Sequence, residues 1–274
     1  MFRSVGLPYI PPELRQGRGE FEAAQKGTLP VLVEINDIKG DLHVHTKATD
    51  GANTIEEMAE KARSLGYQYI AITDHSVSTR IAHGLTKGQL LDHLKKIEKA
   101  ENKLGFRILK GSEVDILPDG SLDYPDEVLE QLDIVFASVH SNFKMERSQM
   151  TKRIITAMKN RYVSVLSHPT GRLIGEREAY AVDLDAVLKA AKDTGTFIEL
   201  NSHPSRLDLD DNHCKAAKEL GILIVITTDA HVTDMMDNMK YGILTAKRGW
   251  LEKKDVLNTL SYEKLMKSLA LKRK

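Results

Sequence analysis

The stretch GDLHVHT at residues 40–46 indicates the type of fold, because a short predicted strand, DLHVH (41–45), ends here in chemically active side chains. Six further short runs, rich in β-branched residues, repeat this form along the chain. Segments of helical periodicity separate them, so strand and helix alternate from Gly40 onward. The six runs are YIAIT (69–73), RILKGSEVDI (107–116), DIVFASV (133–139), VSVLS (163–167), TFIEL (196–200) and ILIVITT (222–228).

The segments between the runs carry helix start and stop signals. Thr54 precedes IEEMAEKARSLG, with a glutamate three residues later that predicts a capping box and Gly66 as the stop. Segments 86–105, 184–195 and 211–221 also end on glycine just before a strand. Repeated strand–helix units imply parallel strands, either in an open doubly wound sheet or in a barrel. Since no glycine-rich dinucleotide fingerprint follows the first strand, we predict an α/β barrel of seven strands.

Histidines concentrate at the predicted strand ends. Six of the ten histidines occupy five three-residue windows, whereas an even spread would place roughly one in all seven such windows. A single histidine in such a place is usually a core or surface residue, but six together favour a shared site. The windows are HVH (43–45), TDH (73–75), SVH (138–140), LSH (166–168) and DAH (229–231).

Imidazole and carboxylate groups together suit divalent ions such as Zn, Mn and Fe. His43 and His45 lie two residues apart, so both point to the same side of a strand and can hold one ion. Asp229 and His231 repeat this spacing on the last strand. Glu113 lies in an apolar strand, where a buried carboxylate is costly unless it binds a cation or strong donors. Ligands from six strands are too many for one ion, which predicts a multinuclear centre.

Other candidate residues are less decisive. Asp50 in ATDG fits a turn residue and a metal ligand equally well. His83 lies outside the five windows, and we interpret His93 and His213, on helical stretches, as solvent-facing. Cys214 has no further metal-binding partner nearby, so we predict that it packs within its helix.

Positive groups follow several of the same strands. Arg172 in HPTGR and Arg206 in NSHPSRLDL present guanidinium groups that are well shaped for a phosphate. For Arg206, an ion pair with Asp208 is an equal alternative. Residues 144–161 hold six Lys or Arg against one Glu, which indicates either a solvated helix face or a guide for a nucleic-acid backbone.

Length and composition limit the fold and the partners. The 274 residues, 41% of them hydrophobic, suit one large α/β barrel. Lys plus Arg equals Asp plus Glu at 39 each, so any attraction to phosphate is local. A single cysteine and no apolar run of membrane-spanning length predict a cytoplasmic protein without a membrane partner. Proline-rich residues 1–39 are predicted to form an arm or linker ahead of a domain at 40–274.

The motifs GDLHVHT, ITDHS, GSEVDI, ASVHS, LSHPTGR and TDAH together resemble the PHP family (polymerase and histidinol phosphatase). The resemblance is closest to the C-terminal PHP domain of bacterial and archaeal family X DNA polymerases. It implies a distorted (β/α)7 TIM-like barrel, the PHP fold, with a trinuclear site at the C-terminal ends of the strands. The ions would be Mn or Zn, with Fe as a further option. The implied ligands are His43, His45, Glu113 and Asp229 for the first ion, Glu113, His140 and His168 for the second, and Asp50, His75 and His231 for the third.

The resemblance also implies an activity, the hydrolysis of phosphoesters by a metal-activated hydroxide. Glu113 would bridge two ions, and His75 or His231 would protonate the leaving group. Asn201, Arg172 and Arg206 correspond to substrate-side groups of the family, and both arginines are also predicted to act in catalysis.

DNA 3′ ends are the leading predicted substrate, attacked by a 3′–5′ exonuclease or a 3′-phosphatase. Lys144, at the start of the basic stretch, is predicted to contact this substrate. A polymerase domain is a further predicted partner. Two alternatives stay open: a small-molecule phosphatase of the histidinol-phosphatase type, and a non-catalytic structural module.

Overall fold

The computed structural model describes Phe2, Gly6 and residues 8–273 of the chain. Seven β-strands follow one another in it, one at each predicted run. They are β1 (Gly40–Val44), β2 (Tyr69–Ile72), β3 (Arg107–Asp115), β4 (Ile134–Ser138), β5 (Val165–Leu166), β6 (Phe197–Asn201) and β7 (Ile224–Thr227). The first begins at Gly40, one residue before DLHVH (41–45), and the sixth ends at Asn201, one residue after TFIEL (196–200).

The strands form one sheet in the order β1 to β7, and every neighbouring pair is parallel. The last strand returns to the first, because Val44 forms a β-bridge with Ala230. The His45 amide also donates to the Ala230 carbonyl oxygen over 2.8 Å. The ring is nearly closed, which confirms the predicted seven-stranded α/β barrel. Parallel strands all end on one side of a barrel, so their C-terminal ends surround a single mouth.

The α-helices begin and end where the local sequence indicates. The Thr54 Oγ1 accepts from the Glu57 amide at 3.2 Å, and the Glu57 carboxylate accepts from the Thr54 amide at 2.7 Å. Gly105 ends the helix Lys87–Leu104 with a positive φ of 57°. No helix within the described residues has the length and apolar character needed to cross a membrane. The helices are α1 (Glu20–Lys26), α2 (Ile55–Ser64), α3 (Lys87–Leu104), α4 (Asp126–Leu129), α5 (Arg147–Met158), α6 (Leu184–Thr194), α7 (Asp211–Glu219), α8 (Met239–Arg248) and α9 (Tyr262–Lys272).

Apolar side chains pack on both sides of the strands. Outward-facing residues, such as Ile72 and Ile198, form the main core with the surrounding helices. Inside the barrel a second apolar cluster fills the lower half, and α9 contributes Leu265 and Leu269 to it. We call this inner cluster the base of the barrel; its strand residues include Tyr69, Leu109, Ile134, Phe136, Val165, Phe197 and Val225.

The segment before β1 packs on the outside of the barrel. Ile10 is fully buried in a small apolar cluster that includes Trp250, beyond the end of α8. The division of the chain into an arm at 1–39 and a domain at 40–274 stays a prediction.

Candidate metal centre

The mouth of the barrel brings together all nine predicted ligands. Every strand except β6 supplies at least one of them, either within the strand or in the loop that follows it. Their positions follow from parallel strands that end on one side, as the histidine windows predicted. The nine residues are His43, His45, Asp50, His75, Glu113, His140, His168, Asp229 and His231.

Glu113 lies at the centre of these residues. Its Oε2 is 3.4 Å from His43 Nε2 and 3.1 Å from His75 Nδ1. Its Oε1 is 3.3 Å from His140 Nε2 and 2.8 Å from His168 Nε2. Because the two oxygens face different imidazoles, this carboxylate can bridge two ions.

Asp229 completes the group predicted for the first ion. Its Oδ1 lies 3.1 Å from His45 Nε2 and 3.7 Å from His43 Nε2. Ligand atoms of His43, His45, Glu113 and Asp229 all lie within 4.8 Å of one another. The structure therefore gives this group the compactness that one ion requires.

Asp50 stands between the imidazoles of the third predicted group. Its Oδ2 is 3.5 Å from His75 Nε2 and 3.3 Å from His231 Nε2. His45 also offers a nitrogen to this group, and the ligand atoms of the four residues all lie within 4.8 Å of one another. Since the Asp50 side chain turns toward these rings, the geometry favours the ligand interpretation over the turn interpretation.

Buried imidazole nitrogens without partners indicate that divalent ions fit here. Among the described residues, His43 Nε2, both ring nitrogens of His45 and His75 Nδ1 are buried without a hydrogen-bond partner. Leaving such an atom unsatisfied costs about 1–3 kcal/mol. Two atoms bound tetrahedrally at about 2.1 Å from one ion lie roughly 3.4 Å apart, which is close to the spacings around Glu113. A set of imidazoles and carboxylates with this spacing suits Zn, Mn or Fe.

Opposite charges face one another across the mouth. Burial alone would raise the pKa of Glu113, but His140, His75 and His43 outweigh it and hold that pKa well below its usual range. Burial likewise opposes protonation of His140, yet Glu113 and Asp115 raise the pKa of His140 to about 10. Glu113 and His140 therefore form an ion pair in the mouth, and a divalent cation that binds His140 displaces a proton.

The pKa of His45 is shifted in the opposite direction to that of His140. Burial, with the neighbouring His231 and His75, lowers the pKa of His45 to about 4. Burial opposes the charged form of His231 too, but Asp50 and Asp229 raise the pKa of His231 to about 9. His45 is thus neutral and already has the lone pair that a metal ligand needs.

A layer of carboxylates behind the ligands escaped the sequence analysis. Glu199 Oε1 lies 2.6 Å from His43 Nδ1, and Asp115 Oδ1 lies 2.5 Å from His140 Nδ1. Both carboxylates are buried. A buried carboxylate in an apolar strand is costly unless it has a partner, and this reasoning, which identified Glu113, also predicts a role for Glu199 in TFIEL.

A third carboxylate of this layer, Asp74, secures the loop that carries Asp50. It accepts from the Thr46 amide at 2.8 Å and from the Thr49 hydroxyl at 2.6 Å. Asp74 Oδ2 also lies 2.8 Å from His93 Nε2. His93 is only 4% exposed, so its predicted solvent-facing position was wrong.

The misplacement of His93 has a simple cause. On α3, Leu90, Leu94 and Ile97 form a buried stripe at helical spacing, and His93 lies within it. His213 keeps 32% of its side chain exposed and pairs with Asp210 before α7. Cys214 is buried, as predicted.

Two predicted substrate-side residues lie against a ligand. Arg206 Nε is 3.3 Å from Asp229 Oδ2, and Asn201 Nδ2 donates to the same oxygen over 3.1 Å. The charged partner of Arg206 is therefore Asp229, not the alternative Asp208. Arg172 lies one layer back, where its Nε donates to the Arg206 carbonyl oxygen over 2.7 Å. Arg172 thus supports the loop of Arg206, and its contact with a substrate stays a prediction.

The basic stretch 144–161 is less uniform than its sequence indicates. Lys144, Lys152 and Lys159 are exposed, but Arg153 is only 1% exposed. Its guanidinium donates to backbone carbonyl oxygens of the loops after β3 and β4. Because it is buried, Arg153 is not available to guide a nucleic acid, and it does not belong to the predicted basic surface.

Comparisons with known proteins agree with this geometry. The PHP domain family model matches residues 41–203. PolX of Bacillus subtilis (strain 168), a DNA polymerase/3′-5′ exonuclease, is 48% identical over 261 residues, which are 95% of this chain but 45% of PolX. This chain therefore spans less than half of that relative. A "Probable phosphatase" of Thermoanaerobacter sp. (strain X514) is 37% identical over 80% of this chain and 89% of its own length.

One solved structure has the same fold. Histidinol phosphate phosphatase from Lactococcus lactis, complexed with zinc, L-histidinol and phosphate, superposes with a TM-score of 0.53 and 16% identity. The match covers 76% of this chain and 93% of that chain. The likeness supports the barrel, while the family follows from the matches in sequence. The chain belongs to the PHP domain family and is a metal-dependent hydrolase of phosphoester bonds.

Proposed function

We propose that this chain hydrolyses phosphoester bonds at DNA 3′ ends, as a 3′–5′ exonuclease or a 3′-phosphatase. The observation that carries the proposal is the complete set of nine ligand side chains, centred on Glu113. Keeping so many charged groups buried is costly unless they hold cations. A non-catalytic structural module would have no need of them.

Divalent ions at these residues would activate water, neutralise the phosphate oxygens and stabilise the leaving oxygen. Mn and Zn both suit the donor set, with Fe as a further option, and availability selects among them. We assign the first ion to His43, His45, Glu113 and Asp229, the second to Glu113, His140 and His168, and the third to Asp50, His75 and His231.

Residues of the chain itself would orient the substrate. Arg206 has a buried Nη1 without a hydrogen-bond partner among the described residues, and it can donate to a phosphate oxygen. Asn201 donates to Asp229 and keeps that carboxylate directed into the mouth. The side chain of His231 is 29% exposed, against 8% for His75, so a leaving group reaches His231 more easily. Either imidazole can protonate the leaving group only when it does not hold the third ion.

DNA is preferred over a small ester for two reasons. The PolX relative, 48% identical, carries a 3′-5′ exonuclease in its name. Lys144 is exposed in the loop that follows His140, at the mouth, where it can contact a phosphate backbone. A polymerase domain, as a partner, would add further contacts with DNA.

The second candidate function is a small-molecule phosphatase. It is favoured by the shared fold with the Lactococcus enzyme, which was solved with histidinol and phosphate. Both functions use the same residues at the mouth, so the substrate has to be tested directly.

The test offers three substrates to chain loaded with Mn or Zn: a 3′-labelled single-stranded oligonucleotide, the same oligonucleotide with a 3′-phosphate, and histidinol phosphate. We expect turnover of at least one oligonucleotide, with loss in EDTA and in Glu113→Gln. Elemental analysis of chain purified without added metal identifies the bound ions. Turnover of histidinol phosphate alone would reverse the ranking of the two functions.

A further inference from the structure

Glu199 is a fully buried carboxylate on β6 that belongs to none of the three ligand groups. Its Oε1 lies 2.6 Å from both His43 Nδ1 and the Thr227 hydroxyl. Its Oε2 accepts from the His168 amide at 2.6 Å and the Ser167 hydroxyl at 2.9 Å. Both oxygens are therefore fully engaged, and two of the contacts involve predicted ligands.

The contact with His43 decides which ring nitrogen can bind an ion. An ionised carboxylate only accepts hydrogen bonds, so His43 Nδ1 carries the proton in this contact. The lone pair is then left on Nε2, the atom that faces Glu113 and Asp229. A ligand imidazole commonly has its other nitrogen held in this way, which fixes its tautomer and ring orientation.

The second oxygen acts on the backbone of His168. This residue has a positive φ of 24°, a conformation that side chains with a Cβ rarely adopt. The Glu199 oxygen accepts a hydrogen bond from the His168 amide, which offsets part of the energetic cost of this backbone conformation. The His168 ring then reaches Glu113 Oε1 at 2.8 Å.

We propose that Glu199 is a positioning residue that sets the tautomer of His43 and the backbone of His168, and so couples the first and second metal groups. The inference rests only on the metal-binding part of the proposed function. One carboxylate thereby holds ligands from β1 and β5, which are far apart in sequence.

Glu199→Gln is the variant that separates this role from simple core packing. If the Gln oxygen faces His43, its NH₂ group meets the His168 amide, and two donors oppose each other. If the NH₂ group faces His43, Nδ1 must accept, and the proton moves to Nε2, where it blocks the ion. Either orientation disturbs one ligand, although the size of the side chain is nearly unchanged.

The experiment measures zinc and manganese affinity by competition with a chelator, in the full chain and without substrate. We expect Glu199→Gln to weaken binding about 10- to 100-fold, the range for lost outer partners of metal ligands. A histidine ¹⁵N NMR spectrum of the zinc-loaded chain provides a second readout. We expect the His43 signals to change in the variant, as the tautomer or ring environment changes.

Glu20→Gln is the matched control. Glu20 is also a buried carboxylate, but it lies in α1, before β1, and accepts hydrogen bonds from the Gly17 amide at 2.8 Å and the Arg18 amide at 2.7 Å, neither of which belongs to a predicted ligand. We expect this control to keep nearly native metal affinity. If Glu199→Gln does not fold, Glu199→Asp, which retains the charge but shortens the reach, replaces it and should also weaken binding.

Two outcomes would overturn the inference: native metal affinity in the Glu199 variant, or an equal loss of metal affinity in Glu20→Gln. Failure of the unaltered chain to bind any divalent ion would instead refute the proposed function. The two failures are therefore distinguishable.

Discussion

The base and the mouth of the barrel are built from the same strands and the same inward faces. On β6, Phe197 packs in the base, and Glu199 follows two residues later in the mouth. On β7, Val225 is in the base, and Asp229 lies beyond Thr227 in the mouth. Side chains two residues apart on a strand share a face, so base and mouth differ in the chemistry of their side chains and not in the direction in which these point. The base therefore carries stability, and the mouth carries reactivity.

The border between the two regions is sharp. The ring centroids of Phe136, in the base, and His43, in the mouth, are 4.6 Å apart. An apolar floor excludes water from below, and attraction between charges is stronger in such a low-dielectric surrounding. The base therefore strengthens the binding of cations by the mouth without supplying a ligand.

The largest effect is expected from loss of a ligand in the mouth. His140→Ala or His168→Ala should lower kcat/KM for the hydrolysed phosphoester at least about a thousandfold, which corresponds to about 4 kcal/mol. The barrel should stay folded by circular dichroism, because the base is unchanged. His83→Asn serves as the control, since His83 is exposed and Asn tolerates its positive φ of 57°. Native activity in both ligand variants would show that the site is misassigned.

The reciprocal change is made in the base. Phe136→Ala should lower the free energy of unfolding of the metal-free chain by about 3–5 kcal/mol, because a buried aromatic ring leaves a cavity. Urea unfolding measures this loss of stability. Competition with a chelator should still detect metal binding by the variant. A loss under about 1 kcal/mol would contradict the assignment of stability to the base.

Metal addition should stabilise the chain through the mouth alone. At a free ion concentration of 100 times Kd, the free energy of unfolding should rise by about 2.7 kcal/mol. At that ion concentration Phe136→Ala should keep most of the increment, because all nine ligands remain, while Glu113→Gln should lose most of it. The measurement is urea unfolding with and without zinc, with EDTA as the reversal. An equal increment in Glu113→Gln would mean that the ion binds elsewhere.

The parts of the structure that the sequence predicted share a property: they depend on local pattern and on strand direction. The ligand histidines were recognisable because parallel strands bring their C-terminal ends together, wherever those ends lie in the chain. Glu113 was recognisable because a carboxylate in an apolar strand needs a partner.

The parts that escaped prediction depend on contacts between distant elements. The partner of Glu199 could not be known before β1, β5 and β7 were placed around it. Arg153 lies in a stretch with the composition of a solvated helix face. Only the fold shows that backbone carbonyls of two loops surround its guanidinium. His93 is a different case, because the apolar stripe on its helix already indicated burial.

The smallest effects are expected from two substitutions on β7 that each add or remove one hydroxyl, one on either side of the border between base and mouth. Val225→Thr places a hydroxyl in the apolar base with nearly the same shape as Val, and an unsatisfied buried hydroxyl costs about 1–3 kcal/mol. Thr227→Val removes the 2.6 Å hydrogen bond to Glu199, which retains its contacts with His43 and His168. The loss of that one bond should therefore cost only about 1 kcal/mol.

The two changes should differ more clearly in metal affinity than in stability. Val225→Thr should leave zinc affinity nearly unchanged, because the Val225 side chain packs in the base and makes no hydrogen bond with Glu199, its neighbour in the sheet. Thr227→Val should weaken zinc affinity measurably, because it loosens Glu199. Thr227→Ser, which keeps the hydroxyl, is the control and should bind zinc like the native chain. If Val225→Thr weakened zinc binding as much as Thr227→Val did, the border between base and mouth would not lie between these two residues. The floor of the barrel would then have to be counted as part of the metal centre.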